Sequence, residues 1–204
     1  MTVVSLKTGT DPDVLRIGLS DGSLFSLRLS YLQNIHRDSS SYTIDKPITD
    51  EHAEDLRAAA GCYRCERAAL QLVARAEQCS SGIRQKLEKR GQPPVYIRKV
   101  LDRLTGLEII DDARYAERWL ASRINQLNGS PLRLLSSLCS RGINRDTASW
   151  AVKSALTPDI EYELMQVYIR KKRLIRDDPY LFKRKLQSEG FSKVSINRLL
   201  EDEE

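Results

Sequence analysis

Gly106-Leu107-Glu108-Ile109-Ile110-Asp111-Asp112-Ala113-Arg114-Tyr115-Ala116-Glu117-Arg118-Trp119 reads as the end of one helical unit joined, across a short acidic junction, to the start of the next. A carboxylate at 111 or 112 can accept hydrogen bonds from the free amides of the following first turn, and it suits the positive end of that helix dipole. Behind the junction, Tyr115, Trp119 and Arg123 recur at four-residue spacing, with Ala116 and Leu120 beside the aromatic pair. That spacing predicts a helix with a broad apolar face and Arg114, Arg118 and Arg123 around it. A single capped helix start decides little; similar joints on both sides decide the fold.

Leu87-Glu88-Lys89-Arg90-Gly91 aligns with Leu138-Cys139-Ser140-Arg141-Gly142 and with Leu186-Gln187-Ser188-Glu189-Gly190, the three glycines lying 51 and 48 residues apart. Four residues before each leucine stands another apolar residue: Ile83, Leu134, Phe182. Each short helix opens at a capping or helix-starting element, Ser80-Ser81, Ser130-Pro131 or Asp178-Pro179. Each glycine can take the left-handed conformation that ends a helix. Beyond it, Ile97 and Val100, Ala148 and Ala151, and Ile196 and Leu199 fall at helical spacing. A fixed period of this kind marks stacked supersecondary units.

The expected fold is mainly α: three tandem three-helix units in an elongated curved array, preceded by a small N-terminal β-hairpin or three-stranded module. The expected boundaries are 1–48 for the β module and linker, 49–110 for the first helical unit with its lead-in helix, 111–157 for the second unit and 158–204 for the third with its acidic tail.

Within the first segment, Val14 to Leu19 and Leu24 to Leu29 alternate as half-buried strands around the turn signal Asp21-Gly22. An odd-length loop with a bulge, pairing Leu19 with Phe25, Ile17 with Leu27 and Leu15 with Leu29, would gather one apolar face. Val3 to Leu6 suggests a third strand, and Ser30 to Gln33 a short helix. His36 to Ser41 is polar and expected to be mobile. Thr49 caps a helix expected to reach about Gln78, with a break near Gly61 and an inward stripe of Leu70, Val73, Ala74 and Glu77.

A hydrophobic content of 41% with 30% charged residues indicates a soluble, charged, helical protein. No apolar run is long enough to span a bilayer and no signal-peptide pattern opens the chain, so a cytoplasmic protein is expected. The net charge of +5 is unevenly distributed: residues 1–60 carry six basic and nine acidic side chains, residues 61–200 carry 27 and 15, and Glu201-Asp202-Glu203-Glu204 closes the chain. A basic body of this kind suits a polyanionic partner.

The four cysteines form no scaffold. Cys62 and Cys65 make a C-x-x-C with no second pair at zinc spacing, and they would share one helix face as reduced structural thiols. No phosphate loop, paired-histidine motif or serine elbow is present, so neither catalytic residues, metal nor cofactor are expected. Adjacent residues of a helix point about 100° apart, which favours Asp111-Asp112 as caps over a catalytic pair. Tyr115, Trp119 and Trp150 are expected in the core, with an exposed ring edge for base stacking as the alternative.

Ile110-Asp111-Asp112-Ala113-Arg114-Tyr115-Ala116, then Ser122-Arg123, then Gly129-Ser130-Pro131 with the Leu138 to Gly142 turn, resemble the RecX family, regulatory proteins that modulate the RecA recombinase. Ser81 to Leu87 and Gly190-Phe191 are similar in kind, and the likeness runs from about residue 64 to the end. Two stretches depart from the family pattern: Gln92-Pro93-Pro94 in the first unit and the apolar Leu132-Arg133-Leu134-Leu135 in the second. The resemblance implies binding along the RecA–DNA filament, with altered ATP hydrolysis, strand exchange and coprotease activity and no chemistry of its own; a monomer is expected.

The basic residues expected to meet that partner, or single- and double-stranded DNA, are Lys86, Lys89, Arg90, Arg114, Arg118, Arg133, Arg141, Arg170, Lys171, Lys172, Arg173, Lys183, Arg184 and Lys185. Asp111, Asp112, Tyr115 and Ala116 serve as helix cap and core. Phosphates and acidic loops of a protein filament would both suit such cations. A sequence-tolerant DNA-binding helical repeat acting without RecA is the alternative.

Overall fold

The computed structural model describes residues 1–33, 42–127, 129–175 and 177–201. His36 to Ser41, Arg176 and the last three acidic residues lie outside that set. The described chain divides into two compact units, 1–76 with 83–110, and 77–82 with 111–204.

The first unit opens with a three-stranded antiparallel sheet in the order β1 (Val3–Thr8), β2 (Val14–Leu19), β3 (Leu24–Arg28). Leu15 pairs with Leu27 and Ile17 with Phe25, two residues away from the register expected from alternation. The parity is as expected, and Leu15, Ile17, Leu19 and Leu27 are all buried. The difference lies in the loop. It is Ser20-Asp21-Gly22, with Leu19 N–H bonded to Ser23 O at 2.8 Å and Gly22 at φ +85°. Placing the glycine third puts the left-handed residue where only it is unstrained, and Asp21 Oδ1 accepts from Ser23 N–H at 2.8 Å to lock the turn.

A 3-10 turn, Leu29–Tyr31, leads on from β3, and Thr49 caps α1 (Asp50–Val73) by accepting from His52 N–H. Helix α1 runs unbroken through Gly61, where a Cβ would collide with the Tyr96 ring, so the glycine serves close packing against the helix that carries Tyr96. The inward stripe differs from the one expected. Leu56, Ala59, Cys62, Cys65, Ala69 and Leu72 are buried, Leu70 and Val73 flank them, and Ala74 is exposed past the helix end. The alanine- and cysteine-rich run had masked the true face. Burial pushes both thiols up, Cys65 to about 11, which disfavours thiolate chemistry at neutral pH. A part-buried cluster ties the sheet to this helix: Arg28 lies 3.1 Å from Glu66 and 2.9 Å from Asp11, and bonds Asp13 at 3.1 Å.

The repeat is present as expected. Helices α2 (Ser80–Lys89) and α3 (Pro94–Gly106) complete the first set, α4 (Asp112–Asn125), α5 (Pro131–Ser140) and α6 (Arg145–Ala155) the second, α7 (Pro158–Lys172), α8 (Pro179–Ser188) and α9 (Lys193–Glu201) the third. The paired apolar positions Ile83/Leu87, Leu134/Leu138 and Phe182/Leu186 are each no more than 3% exposed. All three turns close alike. Gly91, Gly142 and Gly190 take φ +72°, +85° and +88°. The residue after each glycine donates to the carbonyl of Leu87, Leu138 or Leu186, the bonding that satisfies helix-end carbonyls. Pro93 and Pro94, the first departure from the family pattern, sit at the start of α3, where a missing N–H costs nothing.

Candidate interaction surface

The two aspartates of the quoted junction divide their work. Asp111 caps α4, accepting from the amides of Ala113 and Arg114 at 2.9 and 3.0 Å. Asp112 caps the start of α2 instead, taking both the N–H and the hydroxyl of Ser80 at 2.7 Å. The third set repeats the device: Thr157 caps α7, while Glu161 accepts from Ser192 N–H and hydroxyl at 2.7 Å and from the Ser195 hydroxyl at 2.6 Å. Ser130 caps α5 and donates its hydroxyl to Glu189 at 2.7 Å. These carboxylates each hold charge-assisted bonds that position helices, which leaves them as framework. Ala116 is fully buried, and Tyr115, read from the sequence as core, is half-buried beside it.

The basic residues fall into groups. On α2, Lys86 and Lys89 are exposed opposite the buried Ile83 and Leu87, with Arg90 exposed just beyond the helix. On α4, Arg114 and Arg118 converge on Glu77 at 2.9 and 2.8 Å. Arg133 lies 3.6 Å from Glu189. The Ser130 hydroxyl, then Tyr168, then the positive charges of Arg133 and Lys185 hold that carboxyl below its usual range. Arg141 donates to Ser137 O at 2.7 Å and lies over the Trp119 ring, 4.6 Å from its centroid.

Trp119 is half-buried rather than core, because the buried centre of α4 is Ala116 and Leu120, one position round. Arg123 stacks on it too, at 5.3 Å. Trp119, Arg123, Arg133 and Arg141 line a cavity of about 200 Å³. Arg123 stood in the quoted pattern but outside the expected contact set; its four-residue spacing from Trp119 was the signal that could have placed it there. Trp150 is 56% exposed, against expectation. Ala148, Ala151 and Val152 form the inward face of α6, and position 150 lies about 200° from 148 around a 3.6-residue helix.

In the third set, Arg170, Lys171 and Lys172 crowd the last turn of α7, where cations favour the dipole. Arg173 follows at φ +48°. Lys171 Nζ reaches Leu127 O at 3.4 Å, and Lys183 bonds Asn197 at 3.1 Å. Arg184 and Lys185 are exposed and edge a cavity of about 510 Å³ floored by Leu174, Ile175, Leu181 and Phe182. That apolar floor was not read from the sequence, because Leu181 lies one step off the buried 182/186 face. Among the described residues no helix is long and apolar enough to cross a membrane.

A β module ahead of three-helix repeats, with carboxylates committed to helix caps and cations on the outside, defines a helical-repeat protein with a small β module at its front. No family model matches the chain. Relatives do. A regulatory protein RecX of Treponema pallidum (strain Nichols) is 30% identical over 152 residues, covering 74% of this chain and 93% of the relative. One of Pseudomonas fluorescens is 33% identical over 138 residues, 66% of this chain and 88% of its own. A crystal structure of regulatory protein RecX matches with a TM-score of 0.70 over 98% of both chains at 21% identity, which speaks to the fold. The chain belongs to the RecX family of regulatory proteins.

Proposed function

We propose that this chain binds the RecA–DNA filament and inhibits its recombinase, ATPase and coprotease activities, acting as a monomer in the cytoplasm and performing no reaction itself. The helical units 49–110, 111–157 and 158–204 supply the contacts. The observation that carries the reading is the set of outward cations on α2, α7 and α8. Lys89, Arg90, Arg170, Lys172, Arg173 and Arg184 are exposed and have no ion-pair partner among the described residues; Lys185 is exposed too, its charge felt by Glu189. Cations left in water keep their charge for a polyanion or an acidic protein surface.

A second reading, a sequence-tolerant DNA binder acting without RecA, draws on the Trp119 ring held among arginines, a combination suited to a base and its phosphate. One titration separates them. Added to RecA hydrolysing ATP on single-stranded DNA, the protein slows hydrolysis at concentrations well below those that saturate bare DNA. Tight duplex binding with ATP hydrolysis unchanged would give the ground to the second reading. In either case the affinity for a DNA-containing partner falls as salt rises.

A further inference from the structure

The two edges of the N-terminal sheet are finished differently. At the start of β1, Val3 N–H bonds Lys46 O at 3.2 Å, Asp45 N–H bonds Val3 O at 2.8 Å, and Ile48 N–H bonds Met1 O at 2.8 Å just before the strand, so the 45–48 segment covers the beginning of that edge. β3 has no strand beyond it among the described residues. Bonds from Leu19 N–H to Ser23 O and from Leu29 N–H to Asp13 O bracket its ladder. In an antiparallel pair the bonding residues alternate; the backbone groups of Leu24, Ser26 and Arg28 therefore face away from β2. An open edge of this kind is a template for a further strand.

Proteins blunt such edges with charges on the strand itself, yet Leu24-Phe25-Ser26-Leu27 carries none, and Arg28 at the end of β3 is already held by Asp11, Asp13 and Glu66. The charge stands across a groove of about 520 Å³ instead, on α1, where Arg57, Ala60, Arg64 and Arg67 recur at three- and four-residue spacing beside Tyr63. Arg57 bonds Asp21 at 2.9 Å. Arg64 and Arg67 are exposed and have no hydrogen-bond or ion-pair partner among the described residues.

We propose that this groove takes an extended acidic peptide of a partner protein, which adds as a fourth strand to β3 and places its carboxylates on Arg64 and Arg67. The strand supplies main-chain bonds, and the helix supplies the choice of side chain, the division of labour expected of strand addition. β3 is five residues long, so about 17 Å of edge is offered at roughly 3.3 Å per residue. Glutamates facing α1 lay their methylenes on Ala60 and Tyr63 while their carboxylates reach the arginines. A second copy of the chain fits poorly, since pairing two β3 edges would bring two arginine stripes together. None of these residues belongs to the cations of α2, α7 and α8.

The test uses the full chain and a labelled eight-residue peptide of alternating glutamate and valine, blocked at both ends. Saturable binding is expected. It weakens about tenfold with Arg64→Glu and Arg67→Glu together, the size two lost surface pairs produce. It weakens as much with Ser26→Pro, which removes only an outward N–H, and with peptide N-methylation in one alternating phase but not the other. The thermal midpoint of the double-glutamate variant stays within a few degrees of the parent. Equal binding of a lysine–valine peptide, or indifference to both methylation phases, overturns the proposal. So does a single-stranded oligonucleotide that needs Arg64 and Arg67 where the acidic peptide does not bind, or a dimer seen in sedimentation that Ser26→Pro abolishes. Should Ser26→Pro fail to fold, the arginine variant and the methylation phases decide.

Discussion

In α4 and α5, Arg114, Arg118, Arg133 and Arg141 rest on carboxylates, a carbonyl or an indole of their own chain, whereas Lys89 and Arg90 at the end of α2 point to solvent with no acidic partner among the described residues. Residue for residue, both groups add equally to the basic excess of residues 61–200. They do not add equally to what a partner would meet. A guanidinium 2.8 Å from a carboxylate has its field largely cancelled at a distance, while an exposed ammonium keeps its own. Counting cations overstates the binding surface wherever a glutamate stands within reach.

The sharpest way to break this contrast is to reverse the α2 group. With Lys86→Glu, Lys89→Glu and Arg90→Glu together, the concentration needed to half-inhibit ATP hydrolysis by RecA rises by more than about tenfold, the scale of several lost charge contacts. Far-UV circular dichroism stays unchanged, because Ile83 and Leu87 make the helix's core contacts. Inhibition that survives intact removes α2 from the interface.

The engaged arginines fail in the other direction. Arg114→Glu with Arg118→Glu sets like charges against Glu77, and destabilises by about 1–2 kcal/mol for two pairs that water partly screens. Arg118 is 66% exposed and Arg114 36%, so Arg114 carries the larger share. Thermal unfolding then moves down by roughly 2–4 °C per kcal/mol for a chain this long. Inhibition measured well below that transition is retained. A loss of inhibition with no change in melting would mean these arginines also serve a partner.

How far such distinctions can be read without coordinates depends on the kind of signal. The repeat was legible because it rests on local rules, a left-handed glycine after a leucine and apolar pairs four apart, and each rule acts within one turn of helix. The hairpin's parity was legible for the same reason, but its register was not. Two placements of the loop bury the same face, and only the demand of Gly22 for the left-handed position separates them. The fate of the cations depends on residues far along the chain. Glu77 lies 41 positions before Arg118 and Glu189 lies 56 after Arg133, and nothing in the spacing brings them together. Asp112 could be read as a cap, but not as the cap of a helix 32 residues earlier.

Trp119 gives a finer test of the same contrast. With Trp150→Phe, Trp119 is the sole indole, since the chain has two tryptophans. Arg141→Ala then shifts its emission to the red and raises acrylamide quenching, because the guanidinium covering the ring is gone. Arg123→Ala does the same to a smaller degree, its contact being 5.3 Å against 4.6 Å. The stability change stays within about 1 kcal/mol for either half-exposed cation–π contact. Equal shifts for both variants would place the ring differently from the arrangement described.

The smallest effect concerns Glu189, the carboxylate that holds the start of α5 and faces Arg133. Its pKa is lowered, first by the Ser130 hydroxyl and then by Tyr168, Arg133 and Lys185. A group depressed below its unfolded value of about 4.3 contributes stability that is fully present above that value, and that stability is lost as pH falls through the folded pKa. Glu189→Gln should therefore melt below the parent by a constant margin at pH values above about 5. The margin should close as the pH drops further, where the parent's carboxylate also becomes neutral. Lys89→Gln, on a cation with no carboxylate to protonate, should show no such closing margin over the same range. A margin for Glu189→Gln that persists at low pH would assign its effect to packing of the side chain and take the charge out of the α5 junction.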